Sequence, residues 1–499
     1  MNKKVLKRII ITLPAVVLQI IWFVILGKWL SPYATFISVI LELLAFIYVL
    51  YILISVSEGA YKMLWLILIL SFPVMGGLLY MFFGDKHSGK RFRQMLNKSR
   101  EELNVEKEET EFSIKDKRLE STIKLLEKES GFPIYPIEKV KYYPLGEEMW
   151  KDMLADLKKA KKTIYLEYFI VENGLMWDSM VEIMEKKVLD GVDVRLMYDD
   201  LGSFATYNID NIKELSDKGI KCFPFNPLMV LKGTLNYRDH RKMLIIDNEI
   251  AYSGGVNLAD EYINKTVKYG HWKDIGFRIT GLPVNNFSLM FAQFNNAFAA
   301  KEHRIEYLNN NIQEPSTNKG YAISYYDSPV GKYAISNNFY VELLNQAKDY
   351  VYFYTPYLML GNELMNAMIR AAMRGVDVRI IMPGIPDKKL VYRMSRSYYP
   401  PLIEAGVKIY EYTPGFVHAK ACIMDDVVCT IGTVNLDYRS LFLHFENNTL
   451  FYKSAIIKDL KADFLKTQEM CNERNSQNIK SGFIKFVVDG ILRVFAPLC

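Results

Sequence analysis

Two short stretches of this 499-residue chain hold residue types able to do chemistry together. His240, Lys242 and Asp247 form H-x-K-x-x-x-x-D in NYRDHRKMLIID, and His418, Lys420 and Asp425 repeat it in FVHAKACIMDD. Each copy is followed by G-x-V-N-L, at residues 254–258 and 432–436, which supplies Asn257 and Asn435. One such pattern is weak; two copies with the same sequel are specific. Face to face, they give one site two imidazoles, two ammonium groups and two carboxamides. That set suits a phosphodiester. Lysines and amides hold the non-bridging oxygens. One imidazole attacks phosphorus and the other protonates the leaving oxygen. A phosphohistidine remains, and a second alcohol or water reverses the steps. The lysines supply the positive charge, so neither a metal nor another cofactor is required.

These residues need elements to position them. MLIID and CIMDD are apolar, β-prone runs ending in acidic turns. Residues i and i+2 of a strand share a face, so His240 and Lys242 are expected to point together, as are His418 and Lys420. Asp247 and Asp425 sit where each strand turns back. They suit orienting a partner group by hydrogen bond, and holding the fold, better than attack. The GGVN and GTVN turns are small enough for close backbone approach to a bound group. His271 and His444 follow the motifs by 31 and 26 residues and are candidates to line the site; His87 and His303 lack that context.

Around the motifs the chain reads as α/β. A strand over 163–171, a helix over 177–189 and a strand over 191–199 recur as 350–360, 363–374 and 375–383. GVDVR occurs in both, at 191–195 and 375–379. That offset of 184 residues and the motif offset of 178 indicate an internal duplication. Two similar α/β half-domains sharing one active site are predicted, over 135–315 and 316–480.

The flanks differ in character. Residues 1–85 contain three apolar runs, 9–27, 29–57 and 63–84, each long enough for roughly 20 residues of membrane helix. Basic residues before the first run, and from Lys86 to Arg100 after the third, both mark a cytoplasmic side. Three full spans cannot satisfy both clusters, so two to three helices are expected, with a run broken at Pro14 or Pro73 as the irregular one. A multi-pass anchor in the cell membrane with a cytoplasmic catalytic part is the favoured topology. Residues 86–134 read as a charged helical linker and 481–499 as an amphipathic segment for the membrane or the domain. Five scattered cysteines, an odd number without C-x-x-C, argue against a disulfide framework or a zinc site. The net charge of +6 is compatible with an anionic membrane surface or nucleic acid and proves neither.

The chain also resembles the phospholipase D superfamily, and within it the bacterial cardiolipin synthases. NYRDHRKMLIID with SGGVNLADEY, PDKKLVYRMSRSYYPPLIEAGVKIYEYTPGFVHAK, GTVNLDYRSLFLHFENN, PVMGGLLYMFFG and the final RVFAPL carry the likeness. An additional first apolar run departs from that subfamily's two-span pattern. The resemblance implies phosphatidyl transfer between two phosphatidylglycerol molecules, giving cardiolipin and glycerol. The partners implied are phosphatidylglycerol and anionic membrane lipid, not nucleic acid. It makes His240 the nucleophile and His418 the general acid and base, with Lys242, Lys420, Asn257 and Asn435 on the phosphate. Asp274 and Glu446 fall where the family places acidic residues and are expected to act at most in support. A phospholipase D releasing phosphatidic acid would use the same site. A membrane-tethered nuclease would have little use for the apolar N-terminus, and a non-catalytic scaffold none for two intact motifs. The apolar residues 227–235, which lead into the first motif, are a candidate acyl-chain entry. Oligomeric state has no signal in the sequence.

Overall fold

The computed structural model describes residues 34–54, 59–72, 87–103, 114–207, 209–227, 236–307, 320–475 and 483–498, with a few positions between them. The first apolar run and the entry segment at 228–235 lie outside the described residues, apart from Ile21.

The duplication is visible strand by strand. Thr163–Tyr168 and Tyr350–Tyr354 are β-branched and aromatic runs that stay extended in the core. Each leads into a helix, Leu175–Leu189 or Asn362–Met373. The carboxylate of Asp260 caps the first, accepting from the N–H groups of Leu175 at 3.1 Å and Met176 at 2.9 Å. After each helix a glycine reverses the chain in the left-handed region, Gly191 at φ 87° and Gly375 at φ 91°. The chain then enters Asp193–Asp199 or Asp377–Pro383, parallel to the first strand.

The first sheet runs Lys139–Tyr143, Gly276–Thr280, Ile250–Gly254, Met243–Ile246, Thr163–Tyr168, Asp193–Asp199, Lys221–Phe225. The second repeats this order as Tyr321–Asp327, His444–Tyr452, Val428–Gly432, Ala421–Met424, Tyr350–Tyr354, Asp377–Pro383, Lys408–Tyr412. Both sheets are mixed, parallel on one side of Thr163–Tyr168 or Tyr350–Tyr354 and antiparallel on the other. Apolar faces of the two meet in one core, where the rings of Phe277 and Phe451 stand 5.1 Å apart, edge to face.

Three expectations change in detail. Residues 135–136 fall within the predicted first half, but Tyr135–Pro136 pairs with Tyr321 and Ala322 and edges the second sheet. The strands over 163–171 and 350–360 end early, at Tyr168 and Tyr354. Their continuations bend toward the site, held by single bridges from Val171 to Leu258 and from Leu358 to Leu436. The apolar N-terminus contains the helices Ala34–Ile54 and Gly59–Ser71, so the run over 63–84 is not one continuous helix. Among the described residues no helix is long and apolar enough to cross a membrane.

The linker is helical. In Lys117–Ser130, Asp116 caps the N-terminus and Gly131, at φ 71°, ends it. The basic helix His87–Glu102 packs on the half-domains: Arg93 donates to Val330 O at 2.6 Å and Ser99 to Gln293 O at 2.7 Å. The C-terminal helix Phe483–Phe495 docks on Lys389–Ser397, where Asp489 sits 3.0 Å from Arg393.

Candidate active site

Each motif histidine is placed by a strand of the other half. Arg238–Asp239, just before His240, pairs in parallel with His444 and Phe445. Gly415–Val417, just before His418, pairs in parallel with His271–Lys273. The His240 N–H donates to Phe445 O at 2.8 Å and the His418 N–H to Lys273 O at 2.7 Å. The chains that cross over then deliver the acids. Glu446 Oε2 lies 2.8 Å from His240 Nδ1, and Asp274 Oδ2 lies 2.7 Å from His418 Nδ1. Each imidazole is thus oriented through Nδ1 by a carboxylate from the opposite half, which leaves Nε2 for chemistry.

The assignment of acids from sequence therefore needs correction. Asp247, expected to orient a site partner, accepts instead from the backbone N–H groups of Lys161, Lys162 and Thr163 at 2.7 to 2.8 Å. Asp425 does the same for Lys348, Asp349 and Tyr350 at 2.8 to 3.0 Å. Both sit at positive φ, 56° and 50°, in turns at the far end of their strands. They tie the sheet together. Asp274 and Glu446, expected only to lend support, touch the imidazoles directly. Spacing within a motif cannot reveal a partner that arrives from the other half.

The backbone geometry also differs from the expectation. His240 and Lys242 precede their strand, which starts at Met243; His418 and Lys420 precede Ala421. The lysines nevertheless enter the site, because each buried ammonium folds onto the carbonyl of its own histidine. Lys242 Nζ donates to His240 O at 2.6 Å, and Lys420 Nζ donates likewise to His418 O. Asn257 is engaged locally: Oδ1 accepts from Ile170 N at 3.1 Å and Nδ2 donates to Tyr262 Oη at 2.7 Å. Asn435 Oδ1 is buried with no partner among the described residues.

The small-residue turns serve the acids. A Cβ at Gly255 would run into the Asp274 carboxylate, so glycine there admits the acid rather than a ligand. The matching position in the second half is Thr433, whose hydroxyl donates to Glu446 Oε2 at 2.5 Å. Of the two extra histidines, His444 joins the site, with its ring 6.0 Å from that of His240. His271 does not: its Nδ1 lies 3.0 Å from Tyr412 Oη.

The surroundings are asymmetric. His418 sits among Tyr262, Trp272 and Phe416, with ring centroids 5.4 to 5.9 Å away. Beside His240, the flanking residues carry buried charge. Arg241 lies between Glu167 and Asp239 with its guanidinium 3.4 Å from the Phe294 ring centroid, and Arg238 faces Asp199. This network was not anticipated, although RDHR against FVHA, charges where the second copy is apolar, is its signature.

Burial dominates the protonation states. It lowers His240 well below the usual imidazole value, and the Lys242 charge adds to this. It takes His418 to about 4, Lys242 to about 8 and Lys420 to about 7. The acids diverge. Burial pushes Glu446 up to about 8. Asp274 resists the same push and is held below its usual range by His418 and Lys420. Both imidazoles are therefore neutral near pH 7 in the unliganded site, and Asp274 is the stronger anion. The arrangement can attack an electrophilic centre with one imidazole, stabilise an imidazolium on the other, and bind an anion with two lysines.

Known proteins share most of this chain. A family model described as the phospholipase D-like domain of cardiolipin synthase matches residues 153–268 and 340–468. A phospholipase D–nuclease N-terminal model matches residues 43–84. A cardiolipin synthase of Geobacillus sp. (strain WCH70) is 31% identical, covering 95% of each chain. One of Alkalihalophilus pseudofirmus is also 31% identical, covering 87% of this chain and 88% of that one. In fold, the chain is similar to phosphatidylserine synthase of Haemophilus influenzae, with TM-score 0.55 and 16% identity over 76% of this chain and 98% of that one. Near-complete coverage of relatives at this identity, over the same duplicated unit that builds the crossed imidazole–carboxylate pairs, places the chain in the cardiolipin synthase family of phospholipase D-like proteins.

Proposed function

We propose that the chain is a cardiolipin synthase that moves a phosphatidyl group from one phosphatidylglycerol to the glycerol headgroup of a second. The observation that carries this reading is the crossed pair of imidazole–carboxylate units in one buried site. His240 Nε2 forms a bond to phosphorus as the bond to the glycerol oxygen breaks, and His418, which takes up a proton from solvent as the anionic phosphodiester binds, gives that oxygen its proton. A phosphatidyl group is left on His240. A hydroxyl of the second phosphatidylglycerol then loses its proton to His418 and attacks phosphorus, and His240 departs. Atoms balance: two phosphatidylglycerols become cardiolipin and free glycerol. One phosphodiester replaces another, so no nucleotide is consumed. Lys242 and Lys420 neutralise the non-bridging oxygens, and Asn435 adds a side-chain amide.

Transfer is favoured over hydrolysis by burial. His240 and His418 are only 8% and 7% exposed, which limits water beside the intermediate. We further propose attachment to the membrane through the N-terminal region and the C-terminal helix, with the catalytic halves on the cytoplasmic side. Phe36, Leu43, Ile47 and Ile54 of Ala34–Ile54 expose large apolar surface, Ile54 at 82%. Val487, Ile491 and Phe495, four residues apart on one helical face, add an apolar stripe. The basic helix after this region supports the cytoplasmic side.

The test is expression in cells lacking cardiolipin, followed by lipid analysis, with His240→Ala and His418→Ala as controls. Cardiolipin from the native chain and none from either variant is the expected result. Phosphatidic acid without cardiolipin would identify a hydrolase instead.

A further inference from the structure

We propose that His444 is a substrate-binding residue, donating a hydrogen bond from Nε2 to a phosphoryl oxygen of the group that His240 attacks. The proposal rests on the phosphodiester chemistry above, and it concerns a histidine outside both motifs.

The two halves define the position. Phe416, two residues before His418, is paired with Trp272, two residues before Asp274. Arg238, two residues before His240, lies opposite His444, two residues before Glu446. Trp272 and His444 therefore occupy equivalent places in the duplicated site, each beside one motif imidazole, with ring centroids 5.5 and 6.0 Å away. The fold fills this place with an indole on one side, so an imidazole is not required for packing.

The bonding of His444 is incomplete. It is 8% exposed, and its Nε2 is buried with no partner among the described residues. Its Nδ1 is 4.0 Å from Glu446 Oε1, beyond a hydrogen bond. Leaving a buried polar nitrogen unpaired destabilises a fold, so a bonded ligand is the physical reason to keep one there. The ligand is an anion or an oxygen acceptor, because cations already surround this side. Lys242 and Arg238 flank His240 in the first half, and Arg439 and Lys388 also act on His444 from other elements. Arg238 is occupied by Asp199 and by Asn226 O at 2.8 Å, so it does not replace His444 as the donor. An attacking His240 places the leaving oxygen on the far side of phosphorus. Groups beside His240 face the equatorial phosphoryl oxygens, which is where a neutral N–H donor lowers the barrier. Beside His418 the equivalent donor is the indole N–H of Trp272, from the first half, likewise buried with no partner among the described residues.

The test uses the full chain in detergent, with tungstate as the probe of the phosphoryl site and phosphatidyl transfer as the second readout. His444→Ala and His444→Phe are expected to weaken tungstate binding about tenfold, the scale of one hydrogen bond. They should also lower kcat, while the melting temperature holds or rises. His444→Gln and His444→Trp, which keep an N–H donor, should recover most of the affinity. Native tungstate affinity in His444→Ala, or a loss shared equally by the Gln and Trp variants, would overturn the proposal. Failure of the cardiolipin synthase reading looks different: the native chain would bind tungstate with the same His444 dependence yet form no cardiolipin.

Discussion

Replacing Asp274 with Asn and Glu446 with Gln should impair different halves of the catalytic cycle. Asp274 accepts from His418 Nδ1 at 2.7 Å in a fully buried setting. When His418 becomes an imidazolium, two charges about 4 Å apart gain about 4 kcal/mol at an effective dielectric near 20. Charge-assisted hydrogen bonds measured by mutation retain roughly 1.5–3 kcal/mol of such gains. An amide also presents the wrong hydrogen-bond pattern to Nδ1, a change that costs about 10⁴ in kcat where a triad aspartate is so replaced. The expected loss in Asp274→Asn is therefore about 10²- to 10⁴-fold in kcat, with KM for phosphatidylglycerol little changed.

The two variants are separated by the leaving group. A p-nitrophenyl phosphodiester departs without a proton, so it bypasses the general acid but not the nucleophile. Asp274→Asn should regain a rapid burst of p-nitrophenol with this substrate. It should then stall, because deprotonating the acceptor alcohol still needs His418. Acid-quenched protein should carry the adduct on the peptide containing His240. Glu446→Gln should show no such burst, because its defect lies in His240 itself. An adduct on the His418 peptide, or equal rescue of both variants, would refute the division of roles and the crossed support behind it.

Other outcomes follow from the same geometry. Free Lys242 and Lys420 titrate near 8 and 7, and a bound oxyanion favours their charged forms. The unliganded site thus holds fewer protons than the liganded one around pH 8. Tungstate should bind with proton uptake there and weaken as pH rises from 7 to 9; calorimetry in buffers of different ionisation enthalpy reads this, and proton release would contradict it. Asp247→Asn should lower the melting temperature, because three largely exposed backbone N–H groups lose a charged acceptor, at a cost of roughly 0.5–1.5 kcal/mol. Its kcat per folded molecule should stay within a few-fold of native, and a large kcat loss at unchanged melting temperature would return Asp247 to the chemistry. Gly255→Ala should behave as a mild copy of Asp274→Asn in the p-nitrophenyl assay, since its methyl displaces the acid from His418. Full activity in that variant would show that the acid tolerates displacement.

Much of this was legible in the chain because duplication writes the same physics twice. The GVDVR returns, the apolar strands and the two H-x-K patterns are local, and local patterning reports strand, turn and motif directly. What the sequence concealed is what crosses between halves. Glu446 is 206 residues from the imidazole it holds, and Asp274 is 144 from its own. Their importance depends on two parallel strand pairings that no spacing predicts. The conspicuous motif aspartates drew the orienting role for the same reason: they are near in sequence, but the strand carries them to its far end.

The crossing has a consequence for how the two copies diverged. Because each half supplies the acid for the other's histidine, neither half can be lost without disabling both imidazoles. The surroundings are free to differ. His418 acquired an aromatic surround and an ionised Asp274, which favours holding a proton. His240 acquired buried arginines and a Glu446 pushed up to about 8, with the neutral imidazole of His444 alongside. A duplicated site with identical halves would attack from either side and give a mixed intermediate. The charge difference between the two supporting acids fits the proposed division, with the proton on His418 and the attack from His240, and on that reading one adduct, not two, is the expected signature.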